Sequence, residues 1–333
     1  GKATTEIPAS IRQIVVSPGF ELDSPLLEAG RASGIDIVSD IDLFFAECDA
    51  PVVAVTGSNG KSTVTTMLAA ILSATGLNAV AGGNLGVPAL DLLQPDVDYY
   101  VLELSSFQLD RSRPLPAAVA VILNLSPDHL DRHGNMENYA AAKARIYASC
   151  AHAVVNLDEP EFLSWVPEGR PTTFFGLGEP QADSFGVRKT AGGECIALGE
   201  DLLVSIDELP LIGRHNLANA LAAVALGAAI GVDAHSLAQG LKRFRGLPHR
   251  MQVVAESMGA VWIDDSKATN VGAAVMSIAS VADPLILIAG GDAKGGRFED
   301  LAAALEGRHC VAIVFGQDGD AIAAALTGVC PVS

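Results

Sequence analysis

The stretch PVVAVTGSNGKSTVTTMLAAILSATG (51–76) constrains the fold more than any other part of the sequence. Its first residues are apolar and mostly β-branched, which predicts a buried strand over 51–56. The segment after Gly60 has one apolar face, which predicts a helix that stops near Gly76 and carries Val64, Met67, Leu68, Ile71 and Leu72 on that face. A strand joined to a helix by a glycine-rich loop is the arrangement with which α/β proteins bind phosphate groups.

The loop, TGSNGKST (56–63), departs from the commonest phosphate-binding motif. G-x-x-x-x-G-K-[ST] would place its first glycine at Val55, whereas the nearest glycine is Gly57. A glycine-rich turn with an exposed lysine is the alternative, but the predicted strand and helix on either side favour a phosphate site. Lys61 is then expected to bind the β- and γ-phosphates of ATP, and the Ser62 hydroxyl to ligate Mg²⁺. The residues predicted to bind ATP here are Gly57, Ser58, Asn59, Gly60, Lys61, Ser62 and Thr63.

The rest of the chain alternates short apolar runs with alanine-rich helical segments, which is typical of a parallel sheet with crossover helices. Further strands are predicted at 99–104, 117–125 and 151–157, with helices at 136–150 and 215–232. After a possible hinge at 246–248, a second series of strands is predicted at 260–265, 284–291 and 311–317. The predicted fold class is multi-domain α/β, with a mainly parallel sheet around the phosphate loop and a second α/β series after residue 246.

Three segments follow from this pattern. Residues 1–47 resemble the last strand–helix units of an N-terminal domain, 48–246 form the central ATP-binding domain, and 247–333 form the C-terminal domain. The chain does not start with methionine and stops soon after a predicted strand and helix. We therefore expect pieces of the protein to be missing at both ends.

Charge and composition exclude several classes of protein. The chain has 39 acidic and 21 basic residues and a formal net charge of −18, which argues against broad electrostatic binding to nucleic acid or to an anionic membrane. No apolar run reaches the ~18 residues of a membrane span, and no signal segment is recognisable at the start. The five cysteines are scattered, which argues against a disulfide framework or a zinc site. We expect a cytoplasmic protein.

Polar residues at other predicted strand ends are further candidates. Glu103 ends the strand at 99–104, where a carboxylate suits Mg²⁺, although a solvent-facing glutamate is an equal alternative on this evidence alone. The next strand is followed by a cluster for which a metal or phosphate role is favoured: Asp128, His129, Asp131 and His133. Lys143 lies on an alanine-rich helix, and the sequence alone favours a solvated lysine there.

The second series of strands carries its own polar groups. Arg250 follows the possible hinge and is a candidate for stabilising the charge on a transferring phosphoryl group. The other candidates lie at predicted strand ends, where the rim of a ligand cleft is expected, and they are Asp265, Lys267, Thr269 and Lys294.

Taken together, these motifs resemble the Mur ligase family, the ATP-dependent amide-forming ligases of peptidoglycan precursor synthesis. The resemblance extends through nearly the whole chain, in the order SPG (17–19), TGSNGKSTVTT (56–66), GGNLGVPAL (82–90), LELSSFQL (102–109), DHLDRHG (128–134), AAKARIY (141–147), GRHNLANALAA (213–223), GLPHR (246–250), DDSKATNVGA (264–273) and GGDAKGG (290–296). The combination of ELSSFQL with DSKATN resembles the branch that adds D-glutamate.

The resemblance implies three domains: an N-terminal Rossmann-like domain that binds the UDP-sugar, a central P-loop ATPase domain, and a C-terminal Rossmann-like domain that binds the incoming amino acid. On the same resemblance, most of the N-terminal domain and the last part of the C-terminal domain are expected to be missing. It also implies a reaction in which ATP phosphorylates the terminal carboxylate of UDP-N-acetylmuramoyl-L-alanine. The amine of D-glutamate then attacks the acyl phosphate and phosphate is released. The expected cofactors are ATP and two Mg²⁺ ions, and the expected state is a monomer.

Site residues carry over by motif. Ser62 and Glu103 are expected at the first Mg²⁺, with His129 and a carbamylated Lys143 at the second, so that the resemblance reverses the solvated assignment of Lys143. Asn219, Arg250 and Asp265 are expected to contact the base, phosphate and ribose of ATP. Acceptor and D-glutamate contacts are expected from Asn84, Ser105, Ser106, Gln108, Thr269 and Lys294. The residues expected to act in catalysis are Lys61, His129, Lys143, Lys267 and Lys294.

Three alternatives remain open at this point. Another ligase of the superfamily, such as a folylpolyglutamate synthetase, would take a pteroate-type acceptor. A P-loop NTPase would hydrolyse nucleotide without an acyl acceptor, and a non-catalytic protein would bind ATP without forming an acyl phosphate.

Overall fold

The computed structural model describes residues 6–20, 24–211, 213–291 and 297–333. These form two compact units. The first contains 6–20, 24–125, 129–208 and 219–244, and the second contains 126–128, 209–211, 213–218, 245–291 and 297–333. Among the described residues, no helix combines the length and apolar character needed to cross a membrane.

A large sheet organises the first unit. In the described residues it has nine strands, which are β3 (Val52–Thr56), β4 (Ala79–Gly83), β5 (Tyr99–Glu103), β6 (Val119–Ile122), β7 (His152–Asn156), β8 (Thr172–Phe175), β9 (Ser184–Thr190), β10 (Gly193–Leu198) and β11 (Asp201–Ser205). Across the sheet they lie in the order β11-β10-β9-β8-β7-β6-β3-β5-β4. Neighbours from β4 to β9 pair in parallel, and β9, β10 and β11 pair antiparallel at one edge.

Helices cover this sheet and pack through apolar faces. In chain order the α-helices of both units, within the described residues, are α1 (Pro25–Ala32), α2 (Asp40–Glu47), α3 (Lys61–Ala74), α4 (Ser106–Arg111), α5 (Leu130–His133), α6 (Met136–Ala144), α7 (Arg214–Ala229), α8 (Ala234–Arg243), α9 (Val271–Ile278), α10 (Glu299–Leu305) and α11 (Gly319–Ala325). Helix α3 packs on β3, β4, β5 and α8, and buries Met67, Leu68 and Ile71. A second cluster of buried side chains joins α2 and α4 to the sheet through Phe44, Tyr100 and Leu109.

Strand order determines where the site lies. From β3 the chain crosses to β4 at the edge and returns to β5, whereas β6 lies on the other side of β3. The order of the strands therefore reverses at β3, and loops at such a switch point diverge to leave a crevice beyond the carboxyl ends of the strands. Val55 is in register with Glu103, and Thr56 with Ile122, so three strand ends meet at this edge.

Besides the large sheet, the described residues form three two-stranded sheets. At the start, β1 (Gln13–Val16) pairs in parallel with β2 (Asp36–Ser39). In the second unit β12 (Gln252–Ser257) and β13 (Ala260–Asp264) form an antiparallel hairpin, and β14 (Leu285–Gly290) pairs in parallel with β15 (Cys310–Phe315). Helices α9, α10 and α11 bury Ile278, Leu305 and Ile322 in a common core with β15.

The predicted α/β class and the mainly parallel central sheet are confirmed. Every strand and helix range predicted above contains an observed element, with ends that differ by a few residues. The helix predicted at 136–150 ends at Ala144 and continues as a 3₁₀ turn over Arg145–Tyr147. The hairpin β12–β13 and the antiparallel edge β9–β11 were not predicted. The domain boundaries at 47 and 246 stay a prediction.

Candidate active site

The loop between β3 and α3 is held by the end of β6. The amide of Ser58 donates to the carbonyl of Asn124 (3.0 Å), and the amide of Asn59 donates to Asn124 Oδ1 (2.8 Å). Asn124 Nδ2 returns a bond to the carbonyl of Asn59 (3.0 Å). Asn124 therefore fixes the loop from both sides, a role that was not predicted from the sequence although the residue lies at the end of the predicted strand 117–125.

Gly60 is required where the loop becomes helix α3. Its φ is +83°, in the left-handed region, and a Cβ there would lie 2.3 Å from Asn219 Oδ1. Asn219 is itself buried. The predicted ATP-binding residue Asn219 thus lies directly against the loop, and both the backbone angle and the close approach exclude a side chain at position 60.

Two lysines meet on one carbonyl of the loop. Lys61 Nζ donates to the carbonyl oxygens of Gly57 and Ser58, at 2.9 Å each, and Lys143 Nζ donates to the same Gly57 oxygen at 2.8 Å. The side chain of Lys143 is 1% exposed, so the solvated position favoured by sequence alone is wrong. The loop therefore concentrates positive charge in a strongly acidic protein, which suits an anionic ligand.

Tyr139, one turn before Lys143 on α6, joins the lysine to the loop. Its hydroxyl lies 3.0 Å from Ser58 Oγ, and its ring lies under Lys143 Nζ, 4.7 Å from the ring centroid. The residue is buried. Its spacing of four residues from Lys143 on a predicted helix is the signal that could have identified it, because residues i and i+4 share a helix face.

The carboxylate of Glu103 links the end of β5 to the start of α3 and to the turn after β4. It is 3% exposed and accepts hydrogen bonds from Ser62 Oγ (2.7 Å) and Asn84 Nδ2 (2.8 Å). The amide of Asn84 also donates to the carbonyl of Glu103 (2.9 Å). A buried carboxylate beside a hydroxyl is an oxygen donor set that fits Mg²⁺. The solvent-facing alternative for Glu103 is wrong.

Three predicted substrate contacts lie at the start of α4. Ser105 caps the helix and exchanges hydrogen bonds with Gln108, whose amide donates to Ser105 Oγ (3.2 Å) and whose Oε1 accepts from the Ser105 amide (3.0 Å). Ser106 Oγ lies 2.9 Å from His133 Nε2. Their predicted substrate contacts stay predictions.

The histidines of DHLDRHG separate into two environments. His133 stacks on Phe107 with ring centroids 5.3 Å apart, and burial lowers the pKa of its imidazole. His129 adopts a left-handed φ of +54° and meets the edge of Phe107 at 5.0 Å. Within the described ranges no three His, Cys, Asp or Glu side chains come together as a metal-binding group. The metal or phosphate role of Asp128, His129, Asp131 and His133 therefore stays a prediction.

Predicted residues of the second unit gather at one turn. The amide of Lys267 donates to the carbonyl of His249 (3.2 Å), next to Arg250, and the amide of Thr269 donates to the carbonyl of Lys267 (2.9 Å). Asp265 Oδ1 accepts from the amide of Met251 (3.0 Å). The predicted catalytic residue Lys294 lies outside the described residues.

The chain is similar to two protein-family models and to many named relatives. The chain matches the Mur ligase middle domain over residues 55–227 and the Mur ligase, glutamate ligase domain over 249–332. A protein of Nitrosococcus oceani named UDP-N-acetylmuramoylalanine--D-glutamate ligase is 46% identical over 97% of this chain and 72% of its own length. A protein of the same name from Pseudomonas aeruginosa is 44% identical over 100% of this chain and 75% of its own length.

Solved structures show the same fold. MurF from Acinetobacter baumannii superimposes with a TM-score of 0.67 at 20% identity, over 98% of this chain and 86% of that one. A pseudomurein peptide ligase type C from Methanothermus fervidus gives a TM-score of 0.66 at 21% identity, over 97% and 75%. At such identities the likeness concerns the fold alone.

The role of Gly60 is tested by Gly60→Ala, with Gly76→Ala as the matched control. Both glycines have a left-handed φ, +83° and +89°, but a Cβ at Gly76 meets nothing within 4 Å. Each change is expected to cost about 1–2 kcal/mol of unfolding free energy, measured by urea denaturation. Only Gly60→Ala displaces Asn219, and it alone should abolish nucleotide binding measured by calorimetry. Equal nucleotide affinities for the two variants would contradict this assignment.

Proposed function

The chain belongs to the Mur ligase family, and from this premise we propose that it is an ATP-dependent ligase that joins D-glutamate to UDP-N-acetylmuramoyl-L-alanine in peptidoglycan precursor synthesis. The observation that carries the proposal is the identity of 43–46% to relatives that bear the D-glutamate ligase name, over almost the whole chain. The buried phosphate loop and the carboxylate beside it supply the chemistry that such a ligase needs.

The first step transfers the γ-phosphoryl group of ATP to the acceptor. An oxygen of the alanyl carboxylate attacks the γ-phosphorus, and ADP leaves as the bond to the bridging oxygen breaks. Lys61 moves from its loop carbonyls to the phosphates, and the loop amides and the start of α3 add favourable charge. The loop holds the phosphates in line with the attacking oxygen, which lowers the entropic part of the barrier.

The second step forms the amide bond. The amine of D-glutamate attacks the acyl carbon, a tetrahedral intermediate forms, and phosphate leaves with the oxygen that came from the carboxylate. The neutral amine loses one proton in this step, and the amide that forms keeps the other N–H. Three anionic groups must meet here, so positive side chains near them offset their repulsion. We infer that Lys267, Thr269 and Lys294 serve this step near D-glutamate, and that Asn84, Ser105, Ser106 and Gln108 face the acceptor.

Glu103 and Ser62 fit a first Mg²⁺. Their oxygens are 2.7 Å apart, and the carboxylate is shielded from water. Bound there, Mg²⁺ neutralises charge on the phosphate oxygens of ATP. Asn84, which donates to the other carboxylate oxygen, orients Glu103 for this role.

His129 and Lys143 are the proposed ligands of a second Mg²⁺. As an ammonium group, Lys143 does not fit a cation site. It also repels Lys61, because both ammonium groups contact the carbonyl oxygen of Gly57. The ammonium group first loses one proton, and the neutral amine then attacks CO₂, forms an N–C bond and releases a second proton, which leaves a carbamate. That change converts Lys143 into an oxygen ligand and removes the repulsion.

ATP contacts beyond the loop are inferred from position. Asn219 lies against Gly60, and we infer that it contacts the base, with Arg250 at a phosphate and Asp265 toward the ribose. We also propose that the protein acts as a monomer in the cytoplasm.

The proposed activity is tested by measuring phosphate release from ATP with each substrate withheld in turn. We expect release only when both UDP-N-acetylmuramoyl-L-alanine and D-glutamate are present. Release with neither substrate would indicate a simple NTPase, and release with a pteroate acceptor in place of the UDP-sugar would indicate a folylpolyglutamate synthetase-like ligase. Either result would overturn the proposal.

The carbamate is tested by Lys143→Ala, with Lys242→Ala as the control. Lys242 pairs with Glu208 at 2.7 Å elsewhere in the same unit, and its loss should leave activity unchanged. Lys143→Ala should lose activity by at least about tenfold, and acetate should restore part of it by replacing the carboxylate. Carbon-13 NMR of the parent protein under labelled CO₂ should show a carbamate signal that Lys143→Ala lacks. Unchanged activity in Lys143→Ala would contradict the carbamate.

A further inference from the structure

The turn that carries Arg250 has an unusual backbone. The amide of Arg250 donates to the carbonyl of Leu247 (3.3 Å), which closes a four-residue turn with Pro248 and His249 at its centre. Proline suits the first central position of such a turn, and a left-handed residue at the second is normally glycine or asparagine. His249 occupies it with a φ of +63°, and Met251, on the other side of Arg250, has a φ of +47°.

Left-handed angles in residues with large side chains persist only where surrounding contacts enforce them, and they concentrate at ligand-binding sites. Both residues that flank Arg250 are in this state. Arg250 therefore lies between two residues with strained backbone angles. The contacts that hold those two residues in the left-handed region also hold the backbone position of Arg250.

Two consecutive aspartates at the end of β13 supply those contacts. Asp264 Oδ2 accepts from His249 Nδ1 (2.6 Å), and its Oδ1 accepts from the amide of Ser266 (2.9 Å). Asp265 Oδ1 accepts from the amide of Met251 (3.0 Å), and its Oδ2 accepts from Ser277 Oγ. Each aspartate thus anchors one neighbour of Arg250.

The backbone of His249 is fixed as well. Its amide donates to Gln252 Oε1 (3.0 Å), and its carbonyl accepts from the amide of Lys267 (3.2 Å). The bond to His249 holds the pKa of the Asp264 carboxyl down at about 2, so Asp264 is a carboxylate at physiological pH. The His249 imidazole is half exposed, with its Nδ1 committed to that carboxylate. An exposed ion pair of this kind contributes little to the free energy of unfolding. A role in folding therefore does not explain why the pair of His249 and Asp264 lies beside Arg250.

We propose that Asp264 and His249 form a positioning pair that holds the turn so that the Arg250 guanidinium binds a phosphate group of ATP. This inference rests on the proposed ligase function and adds two residues to it. Neither residue of the pair needs to touch ATP, because their effect is transmitted through the backbone of residues 249–251.

A double-mutant cycle with Asp264→Ala and Arg250→Ala in the full chain tests the pair. The main readouts are the dissociation constant of a non-hydrolysable ATP analogue, from calorimetry, and KM for ATP. Asp264→Ala is expected to raise both the dissociation constant of the analogue and KM for ATP by about tenfold, while KM for D-glutamate stays unchanged. In the Arg250→Ala background the same change should have less than about a twofold effect, because the pair acts through that arginine.

Three further variants separate positioning from folding. Asp283→Ala is the matched control, since Asp283 is a half-exposed carboxylate paired with Arg308 at 2.5 Å in the same unit, and it should leave ATP affinity unchanged. Asp264→Asn retains an acceptor for His249 and should restore most of the affinity that Asp264→Ala loses. His249→Asn introduces a side chain that tolerates the left-handed backbone but lacks the imidazole ring. This variant should lose as much ATP affinity as Asp264→Ala. If Asp264→Ala does not fold, the cycle is run with His249→Asn.

Different results would contradict the proposed ligase function and the proposed positioning pair. A parent protein that neither binds the ATP analogue nor forms product would overturn the proposed function. A parent protein that does both, with additive effects of Asp264 and Arg250 on ATP affinity, would overturn the positioning pair and leave the function intact. A loss of kcat with unchanged KM for ATP would also overturn it, because a lower fraction of folded enzyme produces that pattern.

Discussion

The buried carboxylate of Glu103 is the interaction on which the candidate site depends. A charged group that is 3% exposed is costly unless hydrogen bonds compensate it, and here Ser62 and Asn84 provide them. Those bonds join the start of α3, the end of β5 and the turn after β4. The phosphate loop and the proposed metal ligand are thereby held as one rigid group at the switch point of the sheet.

Positive charge is arranged around the same loop in a protein whose net charge is −18. Lys61 and Lys143 both contact the carbonyl of Gly57, and Tyr139 lies beneath Lys143. We propose that these local cations bind anionic substrates that the overall net charge would repel. In the second unit the proposed positioning pair follows a related principle, with a carboxylate acting on a cation through the backbone.

Much of the fold and of the candidate site could be predicted from the sequence, because strand–loop–helix patterns determine which residues reach the carboxyl edge of a parallel sheet. Glu103 and Lys61 were identified in that way. The burial of Lys143 could not be derived from an alanine-rich helix, since the pattern does not show what packs over it. Asn124 and Tyr139 were missed because their roles depend on contacts between distant segments, and the antiparallel strands β9–β11 lacked a clear periodic signal.

The central claim is that the γ-phosphoryl group of ATP, held by the phosphate loop, is transferred to the alanyl carboxylate of the acceptor. It is tested most directly with acceptor labelled with oxygen-18 in both alanyl carboxylate oxygens. The account predicts that the phosphate released during ligation contains one labelled oxygen per turnover, detected by mass spectrometry, because the acyl phosphate loses that oxygen when the amine attacks. Unlabelled phosphate released alongside amide product would contradict the acyl-phosphate mechanism.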